Sequence, residues 1–221
     1  EQAARLLRPA ALIEVGERIG KQAAGYCAAA PAPTDVRVAA RKGEARAAGE
    51  VKEILTGQRG VDRDLARVPS PATTLPVLAE VDVAVVGGGT GGAPAGIAAA
   101  RAGARTLVLE YLDGLGGVGT MGRITRYWWG YRGGFTDQIP GTGAKDRAKD
   151  NPRYEWNPLE RSEWYRRSIR SAGGEVWYGV IGAGALAEGG TVKGVVVATP
   201  EGRGVVLART VIDGTGNADV A

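Results

Sequence analysis

The chain has 221 residues, of which 44% are hydrophobic, with a formal net charge of +4, one cysteine and no histidine. This length suits one large domain, or one domain with an appendage. No apolar run reaches about 18 residues, so we expect no membrane span. Basic and acidic residues alternate over residues 153–170, which is typical of a solvated helix face rather than a nucleic-acid surface. A single cysteine, Cys27, excludes a redox disulfide and a cysteine-ligated iron–sulfur cluster within these residues.

Residues 1–75 are predicted to form an N-terminal segment of unknown role. Their apolar spacing predicts a helix, interrupted near Pro9 and running to about Ala30. A strand over residues 36–40 and a short helical turn over residues 50–55 are expected to follow. The segment contains no recognisable chemical constellation, and we interpret it as a docking or connecting segment.

The stretch from Val81 to Glu110 organises the chain, and it reads VDVAVVGGGTGGAPAGIAAARAGARTLVLE. Apolar residues predict a strand over 81–86, small residues predict a helix over 91–102, and a second apolar run over 105–109 ends on an acid. The turn between strand and helix has three glycines at the spacing G-x-G-x-x-G: Gly87, Gly89 and Gly92. This order predicts the opening βαβ unit of a dinucleotide-binding fold.

Each position in this unit has a physical role. Gly87 allows the sharp turn out of the strand, and Gly89 lacks a Cβ atom, so that a pyrophosphate can lie against the backbone. Gly92 allows the helix to pack close to the strands. The helix N-terminus presents free N–H groups to the phosphates. Glu110, about 20 residues beyond the turn, is placed to accept hydrogen bonds from an adenosine ribose, and we expect it to lie at an exposed strand end.

The glycine spacing alone is weak evidence. With 36 glycines in 221 residues, about one such match is expected by chance, and motif matches need structural context. Two further matches occur within residues 114–122, and neither follows a strand pattern. The flanking strand, the alanine-rich helix and the terminal acid provide the specificity. The alternative is an ordinary βαβ unit with a glycine-rich turn.

A second glycine-rich bend follows the βαβ unit. It contains Gly116 and Gly117 as a doublet, followed by Thr120. Such a bend suits a ligand that is long enough to extend past the first unit. Aromatic residues then cluster over residues 127–131. They are interpreted either as a core cluster or as a wall beside a planar ring system, and both interpretations stay open.

The C-terminal part is predicted to alternate between helix and strand. A helix is expected over residues 158–172, with Leu159, Tyr165 and Ile169 on one face. Three strands are then predicted, over residues 175–186, 191–199 and 204–212.

The region from Val81 to Ala221 resembles the FAD-dependent oxidoreductases of the two-dinucleotide-binding-domain type. The segments that carry this resemblance are VVGGGTGGAPAGIAAARAGARTLVLE, LGGVGTMG and VIDGTGNADVA. The resemblance implies an α/β fold in which residues 76–221 form a Rossmann-like FAD-binding domain, with three layers, a central parallel sheet and a small β-meander. Because the chain starts at Glu1 rather than Met and stops soon after the last motif, we expect a part of a longer enzyme.

The resemblance also implies roles for individual residues. The backbone of Gly182 is expected to meet the adenine, and Thr215 and Gly216 are expected to close over the cofactor. Asn217 stands where the family commonly has Asp, and Asp219 follows, so either side chain is a candidate for the flavin side. The predicted cofactor-binding residues are Gly87, Gly89, Thr90, Gly91, Gly92, Glu110, Gly116, Gly117, Thr120, Gly182, Thr215, Gly216, Asn217 and Asp219. No catalytic residue and no metal ligand is predicted.

The function predicted from these residues and the resemblance is that of an FAD-dependent oxidoreductase. FAD, held noncovalently because the chain has no histidine for a covalent link, is expected to take a hydride or two electrons from a small organic substrate. The alternatives are an NAD(P)-dependent dehydrogenase and a noncatalytic nucleotide-binding module. We expect a cytoplasmic protein with no nucleic-acid or membrane partner, and the sequence predicts nothing about its oligomeric state.

Overall fold

The computed structural model describes residues 9–29, 47–53, 72–126, 133–141 and 155–221. The chain divides into two compact units, Glu1–Ala40 and Arg41–Ala221. The first unit contains helix α1, Pro9–Ala29, which confirms the predicted helix. Pro9 fits the first turn of this helix, where its missing N–H breaks no bond. The predicted interruption near Pro9 involves residues 1–8, which lie outside the described residues. The strand predicted over residues 36–40 lies outside the described residues.

The described part of the second unit is built around one seven-stranded sheet. Its strands are β1 (Glu50–Glu53), β2 (Val77–Val86), β3 (Thr106–Glu110), β4 (Glu175–Tyr178), β5 (Ile181–Glu188), β6 (Thr191–Thr199) and β7 (Gly202–Asp213). Their order across the sheet is β1-β5-β6-β7-β2-β3-β4. Strands β7, β2, β3 and β4 pair in parallel, whereas β1, β5, β6 and β7 pair in antiparallel fashion as an edge strand and a meander.

Two helices accompany the parallel strands. Helix α2 (Gly92–Arg101) connects β2 to β3, and helix α3 (Pro158–Ser171) leads into β4. Short 3-10 turns occur at Gly117–Gly119 and Gly134–Gln138. The predicted strand–turn–helix–strand unit is therefore confirmed. None of the helices among the described residues is long and apolar enough to cross a membrane.

The two faces of the parallel strands are buried against different layers. Side chains alternate along β2, so Val85 faces the helices, and Val86 faces the other side. The helix side packs as one cluster of Val85, Ala93, Ile97, Val108, Leu115, Ile139, Tyr165 and Ile169. On the other side, Leu107 and Leu109 of β3 share a cluster with Val195 and Val197 of β6. Strand β5 of the meander also contacts β3, although the two lie four positions apart in the sheet. The sheet therefore curves, and the meander covers the face opposite the helices, which gives the predicted three layers.

Two element predictions are wrong. Residues 50–53 form the edge strand β1 rather than a helical turn, because β5 offers them an antiparallel partner. A Cβ atom at Gly184 of β5 would lie 2.0 Å from the carbonyl oxygen of Lys52, so this glycine is what lets β1 approach. The single strand predicted over residues 175–186 is two strands, β4 and β5. The chain turns between them at Gly179, with φ +70°.

The buried face of α3 also differs from its prediction. Tyr165 and Ile169 are buried as expected, but Leu159 is 62% exposed and Arg161 takes the buried position. Arg161, Tyr165 and Ile169 are four residues apart and share one helix face. Leu159 lies six residues before Tyr165, about 240° around the helix at about 100° per residue, so it points away from that face.

Candidate cofactor site

The first glycine turn leaves β2 at its C-terminal end, beside the C-terminal ends of β3 and β7. Gly87 adopts φ +86°, and its N–H donates to the carbonyl oxygen of Leu109 at 2.7 Å. A Cβ atom at Gly87 would lie 2.6 Å from the carbonyl oxygen of Gly214, and one at Gly92 would lie 1.8 Å from the carbonyl oxygen of Gly87. The protein's own packing therefore requires glycine at both positions.

Gly89 differs from its two neighbours in the motif. A Cβ atom there would meet only the carbonyl oxygen of Gly214 at 3.9 Å and the Cα atom of Gly117 at 4.0 Å, which are ordinary contacts. The space in front of Gly89 is open, and no steric feature of the described residues demands glycine at this position. A ligand lying against the backbone would supply such a demand.

The backbone around Gly89 offers donors toward this open space. Within the described part of the chain, the N–H groups of Gly89, Thr90 and Gly91 have no hydrogen-bond acceptor. Gly91 is the N-cap of α2, so these donors lie at the positive end of the helix dipole. An arrangement of this kind is suited to an anion such as a phosphate.

The second glycine-rich bend packs directly on the first. The N–H of Gly116 donates to the carbonyl oxygen of Gly88 at 2.8 Å. The hydroxyl of Thr90 donates back to the carbonyl oxygen of Gly116 at 3.3 Å. A Cβ atom at Gly117 would lie 3.1 Å from the Cα atom of Gly89. The structure therefore places Gly116 and Gly117 directly beside the first glycine turn.

Thr120 stabilises the second glycine-rich bend through a buried hydrogen bond. Its side chain is buried, and its hydroxyl donates to the carbonyl oxygen of Leu115 at 2.5 Å. The hydroxyl is thus committed to the backbone of the bend. Thr120 lies near the candidate site, as the resemblance implied, but its side chain supports the bend.

Glu110 ends β3 and is only 7% exposed, so the exposed strand end expected from the sequence is wrong. Its Oε2 atom accepts from the N–H of Gly88 at 2.8 Å, and its Oε1 atom accepts from the N–H of Leu112 at 2.8 Å. The burial follows from these contacts, because the carboxylate lies behind the first glycine turn and joins that turn to the segment after β3. A carboxylate offers about four lone-pair sites, so two remain for a ligand.

The third part of the site is the loop after β7, residues 214–221, which we call the C-terminal loop. The N–H of Gly214 donates to the carbonyl oxygen of Val86 at 2.7 Å, which places the loop against the first glycine turn. Gly216 has φ +81°. The Nδ2 atom of Asn217 donates to Asp219 at 3.4 Å, so the two candidates for the flavin side are joined to each other.

Asp213 holds this loop from the end of β7. Its Oδ1 atom accepts from the N–H and the hydroxyl of Thr215, at 2.9 and 2.7 Å. Its Oδ2 atom accepts from the N–H groups of Val220 and Ala221, at 2.8 and 3.0 Å. Burial raises the pKa of the carboxyl, but these four hydrogen bonds outweigh that effect and hold the pKa below its ordinary value.

Gly182 lies on β5 beside the same end of β2. A Cβ atom at Gly182 would lie 2.2 Å from Cγ1 of Val86, the residue that precedes the first glycine turn, and 3.4 Å from Cγ2 of Val220. Close packing therefore excludes a larger residue here. The backbone of Gly182 adjoins both the end of β2 and the C-terminal loop.

The fourteen predicted residues are thus brought to one edge of the sheet, where β2, β3 and β7 end in parallel. Ligands of open α/β sheets bind at this carboxyl edge. The described residues contain no group of three or more potential metal-ligating side chains. The aromatic run over residues 127–131 lies outside the described residues, so its two interpretations both stay predictions.

Sequence reasoning missed two supports of the site. Asp213 was not predicted as part of the site. An aspartate at the end of an apolar strand and before a glycine is typical of a turn in which the carboxylate accepts a hydrogen bond from the backbone two residues further on. Arg161 is buried, and its guanidinium lies 4.0 Å above the ring of Trp156, whose Nε1–H donates to the carbonyl oxygen of Gly119 at 2.7 Å. No pattern in the sequence marks this arginine, because charged residues surround it along α3.

Known proteins resemble most of the second unit. Residues 82–221 match the family described as FAD dependent oxidoreductase. None of the curated proteins that were compared with the sequence matches it significantly.

Similar solved structures include three that cover 61–64% of this chain. A geranylgeranyl bacteriochlorophyll reductase-like protein from Thermoplasma acidophilum is 23% identical, with 39% of its chain covered and a TM-score of 0.41. THI4 from Thermovibrio ammonificans is 23% identical, with 60% of its chain covered and a TM-score of 0.45. A 3-ketosteroid-delta4-(5alpha)-dehydrogenase from Rhodococcus jostii is 17% identical, with 48% of its chain covered and a TM-score of 0.44. The chain therefore spans less than two-thirds of the length of each of these proteins.

Proposed function

Because this chain belongs to the FAD-dependent oxidoreductase family, we propose that it binds FAD noncovalently and serves the oxidation of a small organic substrate. The observation that carries this proposal is the open cradle at Gly89. There, a glycine without any packing requirement faces free space, next to N–H groups that no described residue accepts from. Glycine and donors together fit a pyrophosphate.

The proposed site assigns one part of the dinucleotide to each part of the edge. The first glycine turn and the N-terminus of α2 hold the pyrophosphate through backbone N–H groups. Glu110 binds the adenosine ribose with the lone pairs that Gly88 and Leu112 leave free, and the backbone of Gly182 borders the adenine. The second glycine bend and the C-terminal loop, including Asn217 and Asp219, lie on the flavin side.

When bound, FAD supplies the two-electron chemistry, in which it accepts a hydride or two electrons from the substrate. The described residues contribute binding and orientation. The backbone donors would hold the phosphates, and the contacts between the two glycine turns fix the position of one turn relative to the other. A cofactor held this way is oriented before the substrate arrives, which lowers the entropic part of the barrier.

Identification of the cofactor tests this proposal. The purified protein is denatured, and the released small molecule is separated by chromatography and identified by its spectrum and mass. We expect FAD in a 1:1 ratio to protein, or its uptake when FAD is added. Release of NAD(P) instead would point to a nicotinamide-dependent dehydrogenase.

Reduction of the bound flavin separates an enzyme from a noncatalytic module. The full-length natural protein, loaded with FAD, is mixed anaerobically with a panel of small organic donors and followed by absorbance of the oxidised flavin. Bleaching by at least one donor is expected. FAD that is bound but reduced by no donor, although dithionite reduces it, would favour the noncatalytic module.

A further inference from the structure

The carboxylate of Asp213 accepts hydrogen bonds from both ends of the C-terminal loop at once. Oδ1 accepts from Thr215 at the start of the loop, and Oδ2 accepts from Val220 and Ala221 at its end. The side chain therefore closes residues 214–221 into a ring around one charged group. Charge-assisted hydrogen bonds of this kind are stronger than neutral ones.

The hydroxyl of Thr215 extends this ring. It donates to Asp213 at 2.7 Å and accepts from the N–H groups of Asn217 and Asp219, at 3.4 and 3.0 Å. Its single donor and both acceptor sites therefore serve the loop itself. Ala218, in the middle of the loop, has φ +59°, a conformation that a residue with a side chain rarely adopts unless its surroundings hold it. The ring of hydrogen bonds supplies that restraint.

The ring also sits against the first glycine turn. Asp213 is in register with Val86, the last residue of β2, and Gly214 and Gly87 are so close that neither tolerates a Cβ atom. Breaking hydrogen bonds of this ring is therefore expected to shift the first glycine turn, where the pyrophosphate is proposed to bind.

We propose that Asp213 is a positioning residue of the cofactor site, which holds the C-terminal loop in the shape that encloses the bound dinucleotide. This inference rests on the proposed function, because it takes FAD as the ligand. Asp213 does not touch the cofactor in this role. It acts through Thr215 and through the backbone of residues 214–221.

The direct test is Asp213→Asn, which keeps the shape of the side chain but places an NH₂ group against N–H donors. FAD is titrated into flavin-stripped protein and binding is followed by flavin fluorescence. The Kd for FAD is expected to rise about tenfold or more, equivalent to about 1.4 kcal/mol. At saturating FAD, the visible circular dichroism of the bound flavin is expected to change, which a purely structural role would not produce.

Asp82→Asn is the matched control. Like Asp213, Asp82 accepts a hydrogen bond from a backbone N–H, here that of Arg105, and it also forms an ion pair with the Arg105 side chain. Arg105 directly precedes β3, so this contact lies at the N-terminal ends of the strands, away from the proposed site. This variant is expected to keep the wild-type Kd for FAD and the wild-type flavin spectrum. It calibrates how much any loss of overall stability contributes to the Asp213→Asn result.

Thr215→Val removes the hydroxyl that donates to Asp213 and so tests the same hydrogen bonds. It replaces the first test if Asp213→Asn does not fold. It removes the hydroxyl while keeping the volume, and it is expected to weaken FAD binding to a similar degree. The double variant is expected to be no weaker than the worse single variant, because both substitutions break one network.

The inference is overturned if Asp213→Asn, or Thr215→Val in its place, binds FAD with the wild-type Kd and spectrum. It is also overturned if their effects on Kd are simply additive. A wild-type protein that takes up no FAD is a different outcome, which removes the proposed function itself.

Discussion

At the scale of the residue, the glycines of the site fall into two groups. Gly87 and Gly92 are fixed by the protein's own backbone, since an added Cβ atom would overlap a carbonyl oxygen. Gly89 has no such constraint. The sequence motif treats the three positions alike, and only the structure separates a glycine that shapes the turn from one that leaves room for a ligand.

This separation predicts opposite results for two substitutions. Gly89→Val is expected to abolish FAD binding while the fold persists, because the side chain occupies the cradle and the attraction of a helix terminus, about 0.3–2 kcal/mol, cannot offset a steric clash. Gly92→Ala is expected to disrupt the fold itself. Flavin absorbance and far-ultraviolet circular dichroism measure the two effects. Full flavin occupancy in folded Gly89→Val would show that the phosphate lies elsewhere.

Glu110 gives a second prediction at this scale. In Glu110→Gln one carboxylate oxygen is replaced by an NH₂ group that faces a backbone N–H, from either Gly88 or Leu112. Leaving the buried N–H of Gly88 without an acceptor is expected to lower the free energy of unfolding by about 1–3 kcal/mol, together with a weaker affinity for FAD. Urea denaturation and calorimetric titration measure these quantities.

The control for Glu110 is Glu175→Gln, the same change at an exposed position of β4. It is expected to alter stability by less than about 0.5 kcal/mol. Equal effects of the two substitutions would contradict the role assigned to the buried carboxylate.

At the scale of the element, the contact between α2 and β3 sets how closely the helix N-terminus approaches the site. A Cβ atom at Gly96 would lie 2.4 Å from Cγ2 of Val108. The small residues of α2 are therefore a packing requirement, although glycine is a poor helix former.

Gly96→Ala is accordingly expected to destabilise the protein. The substitution gains up to about 1 kcal/mol of helix propensity, but overpacking a close contact costs about 1–3 kcal/mol, so the net change is a loss. Combining it with Val108→Ala removes the opposing methyl groups. In urea denaturation, the double variant should then be more stable than the sum of the two single changes predicts. Additive effects would mean that this contact does not limit helix packing.

The success of the sequence predictions also differs by element. The βαβ unit, α3 and β6 were predicted because each is defined by a local signal, either a periodic apolar pattern or a glycine turn. Strand β1 and the β4–β5 division were missed. Both depend on partners that are distant in the sequence, since four residues such as Glu50–Glu53 become a strand only when β5 lies beside them.

The same reasoning applies to the site. The glycines and Glu110 follow from a motif with fixed spacing, so their position at the carboxyl edge was predictable. Asp213 and Arg161 were not, because their roles come from contacts made across the fold. Local sequence thus predicts which turns form the proposed site, and tertiary packing determines which side chains hold the loops around it.

At the scale of the whole molecule, the N-terminal boundary of the domain that contains the proposed site depends on whether β1 belongs to it. The sequence predicted a domain over residues 76–221, but the sheet includes β1, and the compact unit begins at Arg41. Strand β1 covers one edge of β5, and Glu53 forms an ion pair with Arg203 of β7 at 2.6 Å. Without β1, the backbone groups along β5 would form a bare edge that invites pairing between chains.

Two truncations distinguish these boundaries. Residues 41–221 contain every predicted site residue and the whole described sheet, so this piece is expected to bind FAD with the Kd of the 221-residue chain. Residues 76–221 keep the site but lose β1, and we expect a lower midpoint of thermal unfolding and self-association that grows with protein concentration. Calorimetry and sedimentation velocity measure the two properties. Equal stability and equal monomer content in both pieces would place the start of the domain at residue 76, because β1 would then contribute nothing to the sheet that it borders.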